Sequence, residues 1–177
     1  MSSYICTKSQ KGFSLVEVLV ALIVIAIGLL GIAKMQGLAL TETGNASRRS
    51  LAAIEAASFA ASMHANSDYW ASGFAPSSFT VTGKQVSDPG LAQQISCDNG
   101  AVCNAAQLAA YDVQQWAATL SALLPAPVSS VNCNNTPGIP VTCTIAISWN
   151  EEQTGINQQG ANGPQMQSPT YTLYVEP

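Results

Sequence analysis

The first fifth of the chain is dominated by one apolar run. Residues 18–33 contain no polar side chain, and the run begins at Phe13. The 21 residues over 13–33 would form about 30 Å of helix at roughly 1.5 Å per residue, which matches the apolar thickness of a bilayer. Lys8 and Lys11 precede the run and favour a cytoplasmic N-terminus under the positive-inside rule. The pattern therefore predicts a membrane-spanning helix.

The helical pattern continues beyond the apolar run. No proline occurs before Pro76, and residues 51–63 are mostly helix formers. We therefore expect one helix over about 13–66, whose second half packs on a folded head. The face expected to pack there is one helical stripe: Leu51, Ile54, Ser58 and Ala61, widened by Phe59 and Met63. Four glycines indicate either bends or close packing between neighbouring transmembrane helices: Gly28, Gly31, Gly37 and Gly44.

A second helix is predicted in the C-terminal part of the chain. Turn residues dominate 67–103, with one strand candidate at 79–82. Asn104, followed three residues later by Gln107, predicts a capped helix over 104–124. We expect its apolar face to be core: Ala109, Val113, Trp116, Ala117, Leu120 and Leu124.

Beyond residue 127 the hydrophobic period changes from helical to two. Apolar and polar side chains alternate over 141–149 and over 170–175, and 128–133 is a third strand candidate. Pro137-Gly138 marks a turn between 128–133 and 141–149. These strands predict an antiparallel sheet packed on the long helix, which is an α+β fold.

Composition and charge limit the classes of partner. The 177 residues suit a single domain, and only 9% are charged against 47% hydrophobic. The net charge is −4, and Arg48-Arg49 is the nearest approach to a basic cluster. Because nucleic-acid binding requires a clustered basic surface, we do not expect it here.

The cysteines indicate an oxidising compartment for the C-terminal part. Four of the five follow the apolar run, which is the arrangement expected of disulfides in a periplasmic or extracellular head. We predict Cys97–Cys103, which closes a small loop, and Cys133–Cys143, which clamps a hairpin. Cys6 lies on the cytoplasmic side of the run and is expected to be a free thiol without function.

Candidates for catalytic or metal chemistry are few. His64 is the only histidine and is expected on a helix surface, so a histidine-rich metal centre is excluded. Glu151-Glu152 could be paired catalytic carboxylates or calcium ligands, but their position favours an exposed turn. No nucleophile elbow, phosphate loop or nucleotide fingerprint occurs. The sequence therefore predicts no enzyme activity, no metal site and no cofactor.

Glu17 is the most informative residue of the apolar segment. A carboxylate inside a spanning helix is unfavourable, so it should either have a partner or reach water at the interface. It closes the sequence Lys11-Gly12-Phe13-Ser14-Leu15-Val16-Glu17. This sequence resembles the prepilin signature of type IV pilins, type II secretion pseudopilins and related filament subunits.

The resemblance implies three site roles. Prepilin peptidase would cut between Gly12 and Phe13, Phe13 would become N-methylated, and Glu17 would be an assembly carboxylate. Glu17 would then pair with the N-terminal amine of a neighbouring subunit. An intrachain pair with the Phe13 amine, at i and i+4, is the competing arrangement.

Residues of the head narrow the resemblance. The segment Cys103–Trp116, together with Val141-Thr142-Cys143 and Ile147-Ser148-Trp149-Asn150-Glu151, resembles minor pilins of the PilV type. This resemblance implies a low-abundance subunit that primes pilus assembly or forms the tip. The alternatives are a type II secretion pseudopilin and a membrane-anchored adhesin or binding module.

The same resemblance implies the organisation, location and partners of the chain. We expect a leader over 1–12, a transmembrane and assembly helix over 13–35, an amphipathic helix over 36–66 and a disulfide-bonded periplasmic head over 67–177. The chain would be a single-pass inner-membrane protein before assembly and part of a pilus afterwards. The implied partners are other minor pilins, the major pilin, prepilin peptidase, the inner-membrane assembly platform and a tip adhesin.

Overall fold

The computed structural model describes residues 12, 14–98, 100–152 and 166–177 of the 177-residue chain. Cys6, both leader lysines and Phe13 lie outside the described residues. The chain divides into two compact units, Met1–Thr41 and Glu42–Pro177, which are considered separately below.

Helix α1 (Leu15–Ala65) is 51 residues long and confirms the single helix predicted over 13–66, apart from its ends. Between Leu15, at 82%, and Ile32, at 54%, its large apolar side chains are exposed. A Cβ atom built at any of the four helix glycines would meet no other part of the chain within 4 Å. Packing within the chain therefore does not require glycine at these positions.

The face that α1 turns to the core of the second unit differs from the predicted one. Ile54 is 59% exposed, Ser58 and Ala61 are exposed, and Leu51 is only half-buried. The buried face is mostly small residues with two large ones: Ala52, Ala56, Phe59, Ala60 and Met63. Phe59 and Met63 are buried as predicted, but the prediction was wrong at Ile54, Ser58 and Ala61. The buried face is the adjoining one, where alanine lets the helix backbone approach its neighbours closely.

Two further helices belong to the second unit. Helix α2 (Ser67–Trp70) is one turn long, and α3 (Ala105–Leu123) confirms the helix predicted over 104–124. The side chain of Asn104 accepts a hydrogen bond from the Gln107 amide at 2.9 Å, and the Asn104 amide donates to the Gln107 side chain at 3.0 Å. This is the predicted capping box. All six residues of the predicted apolar face are buried.

Seven strands are present among the described residues: β1 (Ser78–Thr82), β2 (Gln85–Val86), β3 (Val128–Asn134), β4 (Thr142–Ser148), β5 (Glu151–Glu152), β6 (Met166–Gln167) and β7 (Thr170–Val175). Five form one antiparallel sheet in the order β2-β1-β3-β4-β7, and β5 pairs with β6. The long helix packed on this sheet confirms the predicted α+β class, and the architecture is consistent with a pilin fold.

The core joins α1, α3 and the sheet through aromatic side chains. The ring of Phe59 stacks on that of Trp116 at a centroid distance of 4.3 Å and an angle of 13°. It also meets the rings of Trp70 and Phe79 edge-on. The Trp116 indole donates a hydrogen bond to the Glu55 carbonyl at 3.1 Å, so its polar atom is satisfied.

Two disulfides lie in the second unit. Cys97 is bonded to Cys103 in the segment that leads into α3, and Cys133 is bonded to Cys143. Cys133 and Cys143 stand directly opposite each other in the β3–β4 register, with 4.0 Å between their Cα atoms. The second disulfide therefore ties the two strands together beside the hairpin turn at Pro137-Gly138.

Candidate functional site

Of the predicted processing site, the structure describes Gly12, three residues before the start of α1, while Phe13 lies outside the described residues. Gly12 is exposed, and a Cβ added to it would meet nothing within 4 Å. The Ser14 carbonyl accepts hydrogen bonds from the amides of Glu17, at 3.0 Å, and Val18, at 3.3 Å, which starts the helix. Gly12 itself is therefore accessible to another protein.

Glu17 lies in the first turn of α1 and its side chain is exposed. The carboxylate makes no hydrogen bond or ion pair with another described residue. The amides of a helix N-terminus carry partial positive charge, so a carboxylate in the first turn is favoured there. The neighbouring side chains are apolar, and a charge placed among them in a membrane or a packed filament needs an opposite charge nearby.

The exposed apolar surface after Glu17 is too extensive to remain in water. The part of α1 in the first unit is long and apolar enough to cross a membrane by length and composition, and none of its most apolar stretch is buried. A contiguous apolar surface of this kind marks contact with lipid or with another protein. Contact with lipid and contact with another protein are both expected of a helix that first spans a membrane and then packs in an assembly.

An ion pair between an exposed arginine and a buried glutamate links α1 to strand β5 within the second unit. The Arg49 guanidinium donates to both carboxylate oxygens of Glu151, at 3.3 Å from Nε to Oε1 and 2.9 Å from Nη2 to Oε2. The Trp149 indole donates a third hydrogen bond to Oε1, at 2.9 Å. Glu151 is 3% exposed, so the exposed turn predicted for Glu151-Glu152 is wrong at this residue.

The sequence contains a signal for the burial of Glu151, although not for its partner. The inward positions of β4 are odd-numbered, and the alternation continues beyond the strand through Trp149 to Glu151. A carboxylate at an inward position needs a partner. The adjacent arginines of α1 were the available cations, but their separation of 102 residues from Glu151 hid the contact.

Acid should weaken the second unit through Glu151. Burial raises the pKa of this carboxyl, but hydrogen bonds from Arg49 and Trp149 and the charges of Arg49 and Arg48 outweigh burial and hold the pKa below its usual value of 4.5. A depressed carboxyl pKa stabilises the fold above the unfolded-state pKa, and this stability is lost as the pH falls through the folded-state pKa. The contribution is therefore complete at pH 7, begins to fall as the pH drops through the ordinary carboxyl pKa of 4.5, and is gone only below the depressed pKa of the folded state.

We expect Glu151→Gln to lower the Tm at pH 7 by about 3–6 °C, because a charge-assisted network becomes a neutral one. The difference from wild type should be smaller at pH 3.5, because this carboxyl is largely protonated there in the unfolded wild-type chain. Thermal unfolding of the full chain in detergent, followed by near-UV circular dichroism, measures this. An equal difference at both pH values would show that the charge of Glu151 does not contribute.

The predicted site residues fall into two groups. Gly12 and Glu17 belong to the first unit, and the four paired cysteines belong to the second. The Arg49–Glu151 pair was missed from the sequence. His64 is exposed on α1, as expected.

Comparison with known proteins supports the prepilin resemblance at the N-terminus. The family described as the prokaryotic N-terminal methylation motif matches residues 7–33, which include Gly12, Phe13, Glu17 and the apolar part of α1. No curated protein and no solved structure matches the chain significantly. The motif, the apolar helix and the mixed α+β fold support a type IV pilin-like or pseudopilin protein, which is a structural rather than a catalytic class.

The motif also has consequences for location and assembly. Together with the apolar helix it indicates membrane anchoring, and it implies assembly with other pilins in a filament. The segment it covers is also the one whose large apolar side chains are exposed.

Proposed function

We propose that the protein is a minor pilin of a type IV pilus, a low-abundance subunit that primes pilus assembly or forms the tip complex. The methylation motif at residues 7–33, in register with an exposed glycine and a long exposed apolar helix, carries the pilin-like part of this proposal. The resemblance of the head segments to minor pilins of the PilV type favours a minor pilin over a pseudopilin. The disulfide-bonded α+β head supports a subunit that works outside the cytoplasm.

The proposed processing step involves Gly12 and Phe13. Prepilin peptidase cuts the peptide bond between them, removes the leader over 1–12 and leaves Phe13 with a free amine that is then N-methylated. Cutting here creates a positive charge four residues before Glu17. The step therefore produces the partner that the carboxylate lacks among the described residues.

The proposed assembly step involves Glu17. As a subunit leaves the membrane, its carboxylate pairs with the N-terminal amine of a neighbouring subunit. In an apolar surrounding this attraction is stronger than in water, and it also sets the axial register of the two helices. The exposed aliphatic side chains of residues 18–33 supply the remaining contact.

The proposed organisation of the chain keeps the segment boundaries that the sequence predicts. Residues 13–35 anchor the protein in the inner membrane and later pack in the filament, 36–66 join this helix to the head, and 67–177 form the periplasmic head. The proposed partners are the major pilin, other minor pilins, prepilin peptidase, the inner-membrane assembly platform and a tip adhesin.

A type II secretion pseudopilin is the second candidate, because the motif over residues 7–33 supports both kinds of protein equally. Quantitative mass spectrometry of sheared surface filaments separates them. We expect the protein in the pilus fraction at a small fraction of the major pilin, and its loss when the pilus assembly platform is deleted. Recovery that depends instead on the type II secretion system would make the protein a pseudopilin and overturn the minor-pilin proposal.

A further inference from the structure

The two edges of the five-stranded sheet are built differently. At one edge, β2 has only two residues, Gln85 and Val86. At the other edge, β7 has six residues and pairs only with β4 among the strands that the structure describes. Natural sheets protect their edges with short strands, charged residues, prolines or bulges, because an open edge is a template for another strand. The β2 edge is protected by its length, whereas β7 is long enough to accept a partner.

The hydrogen-bond pattern shows which backbone groups of β7 point outward. The amide of Trp149 donates to the carbonyl of Pro169 at 3.4 Å, and these two residues continue the β4–β7 register. In an antiparallel ladder, residues that bond to the neighbouring strand alternate with residues that point away from it. The odd-numbered residues of β7 therefore bond to β4. The N–H and C=O groups of Thr170, Thr172 and Tyr174 point away from the sheet.

A second backbone hydrogen bond independently shows the same alternation of residues. The amide of Cys133 donates to the Ser77 carbonyl at 2.8 Å, in register with the β1–β3 pairing. The odd residues of β3 therefore bond to β1 and its even residues bond to β4. Because β4 uses its even residues for β3, its odd residues are the ones that bond to β7. No backbone hydrogen bond to the outward groups of Thr170, Thr172 or Tyr174 occurs within the described part of the chain.

The side chains of β7 are also incompletely covered. Ile145 and Ile147 of the central strand β4 are fully buried, whereas their cross-strand neighbours Leu173 and Tyr171 pack on the same core but are only half-buried. On the opposite face, Tyr174 is 79% exposed. A further strand beside β7 would cover the first two side chains and contact the third.

Charge and length describe the strand that would fit. Residues 170–175 carry no charge, and Pro169 and Glu176 bound the open stretch. A matching segment is therefore about six residues long, extended and uncharged. Every second residue would be apolar, so that it covers Tyr171 and Leu173 on the core side.

We propose that the β7 edge binds an extended, uncharged segment of another protein chain by β-strand addition. Main-chain hydrogen bonds to Thr170, Thr172 and Tyr174 provide the affinity, and the half-buried side chains on the core side select alternating apolar residues. This inference deepens the proposed function, because it names a way in which the head takes a partner at the pilus. The open edge itself does not rest on that function.

A second copy of this chain is the competing occupant, because its own β7 is also an uncharged strand of six residues. The oligomeric state of the chain is therefore one of the outcomes of the test.

Thr172 allows the edge to be blocked without disturbing the sheet. Its N–H points outward, so Thr172→Pro removes an outward donor and leaves the bonds to β4 in place, which is the edge position where proline is tolerated. Thr172→Ala removes the same side chain and keeps the N–H, so it is the matched control. Persistent protection of the Leu173 amide in Thr172→Pro would show that β7 remains paired with β4.

The test uses the full chain in detergent and a fluorescein-labelled peptide of alternating threonine and valine, six residues long with a lysine at each end. A peptide N-methylated at alternate residues controls for binding to the micelle. We expect saturable binding to the wild type and to Thr172→Ala, and binding to Thr172→Pro that is weaker by roughly five- to tenfold. Residue-resolved hydrogen exchange should show the amides of Thr172 and Tyr174 slowed by the peptide.

Three results would overturn the proposal: equal binding to Thr172→Pro and Thr172→Ala, no binding to the wild type, or peptide protection on residues outside β7. Dimerisation of the peptide-free chain that Thr172→Pro abolishes would assign the edge to a second copy and also reject the proposed occupant. The N-terminal mass of the same wild-type preparation reports the proposed function separately. An unprocessed chain that still binds the peptide at β7 would contradict the proposed function and support the proposed binding at the β7 edge.

Discussion

Replacing Gly12 with valine is expected to leave an uncut precursor in the inner membrane. A Cβ at this position meets no described atom within 4 Å beyond its immediate neighbours, so the larger side chain does not disturb the described part of the fold. It changes only the surface that the peptidase has to accept. Membrane insertion should persist, because it depends on the apolar length of α1, which the substitution does not alter.

The fraction of processed chain, measured by intact mass of the membrane fraction, should fall from nearly complete to nearly zero. Gly37→Ala is the matched control, since a Cβ at Gly37 also meets nothing within 4 Å but lies well beyond the proposed cut. This control should be processed normally. Normal processing of Gly12→Val would place the cut elsewhere and reject the proposed site.

Replacing Glu17 with alanine is expected to remove the protein from filaments while leaving it processed and inserted. The substitution makes the spanning helix more apolar, so insertion improves. The mature N-terminal amine of the neighbouring subunit then remains buried without an opposite charge, and leaving one such charge unpaired is strongly unfavourable. We expect the amount in sheared filaments to fall by roughly tenfold or more, which corresponds to at least about 1.4 kcal/mol.

Two further variants separate charge from shape at this position. Glu17→Gln keeps the size of the side chain and should lose incorporation as Glu17→Ala does. Glu176→Ala removes an exposed carboxylate of the head and should incorporate like the wild type. Wild-type incorporation of Glu17→Ala, in a strain without the native copy, would mean that Glu17 only reaches water at the membrane interface.

Local patterns predicted most of the secondary structure. The cap at Asn104 and Gln107 placed the start of α3, because a capping box involves residues only three positions apart. Alternating side chains located β4 and β7, because the period of a strand is set by its own backbone. The very short elements α2, β2, β5 and β6 were missed, because two to four residues are too few to show a period.

Features that depend on the tertiary structure could not be predicted in this way. The buried face of α1 is set by how closely its alanines let it approach the sheet and α3, and the exposed Ile54 misled a prediction based on large apolar residues. The partner of Glu151 lies on another element, 102 positions away. The position of β7 at an edge of the described sheet follows from the strand order, which alternation alone does not determine.

The N-terminal and C-terminal observations support different parts of the proposal. The motif over residues 7–33 supports processing and assembly through the apolar helix. The disulfides and the open edge concern what the head does once it is outside the cytoplasm. Variants at Gly12 and Glu17 therefore test assembly, and variants at Thr172 test recognition by the head.

The most direct test is the mass of the N-terminal peptide of the wild-type protein, purified from membranes and from sheared filaments. Cleavage after Gly12 followed by methylation predicts a peptide that begins at Phe13 and carries one additional methyl group on its amine. A chain that still begins at Met1, or one cut at any other bond, would contradict the assignment of this protein as a processed pilin-like subunit.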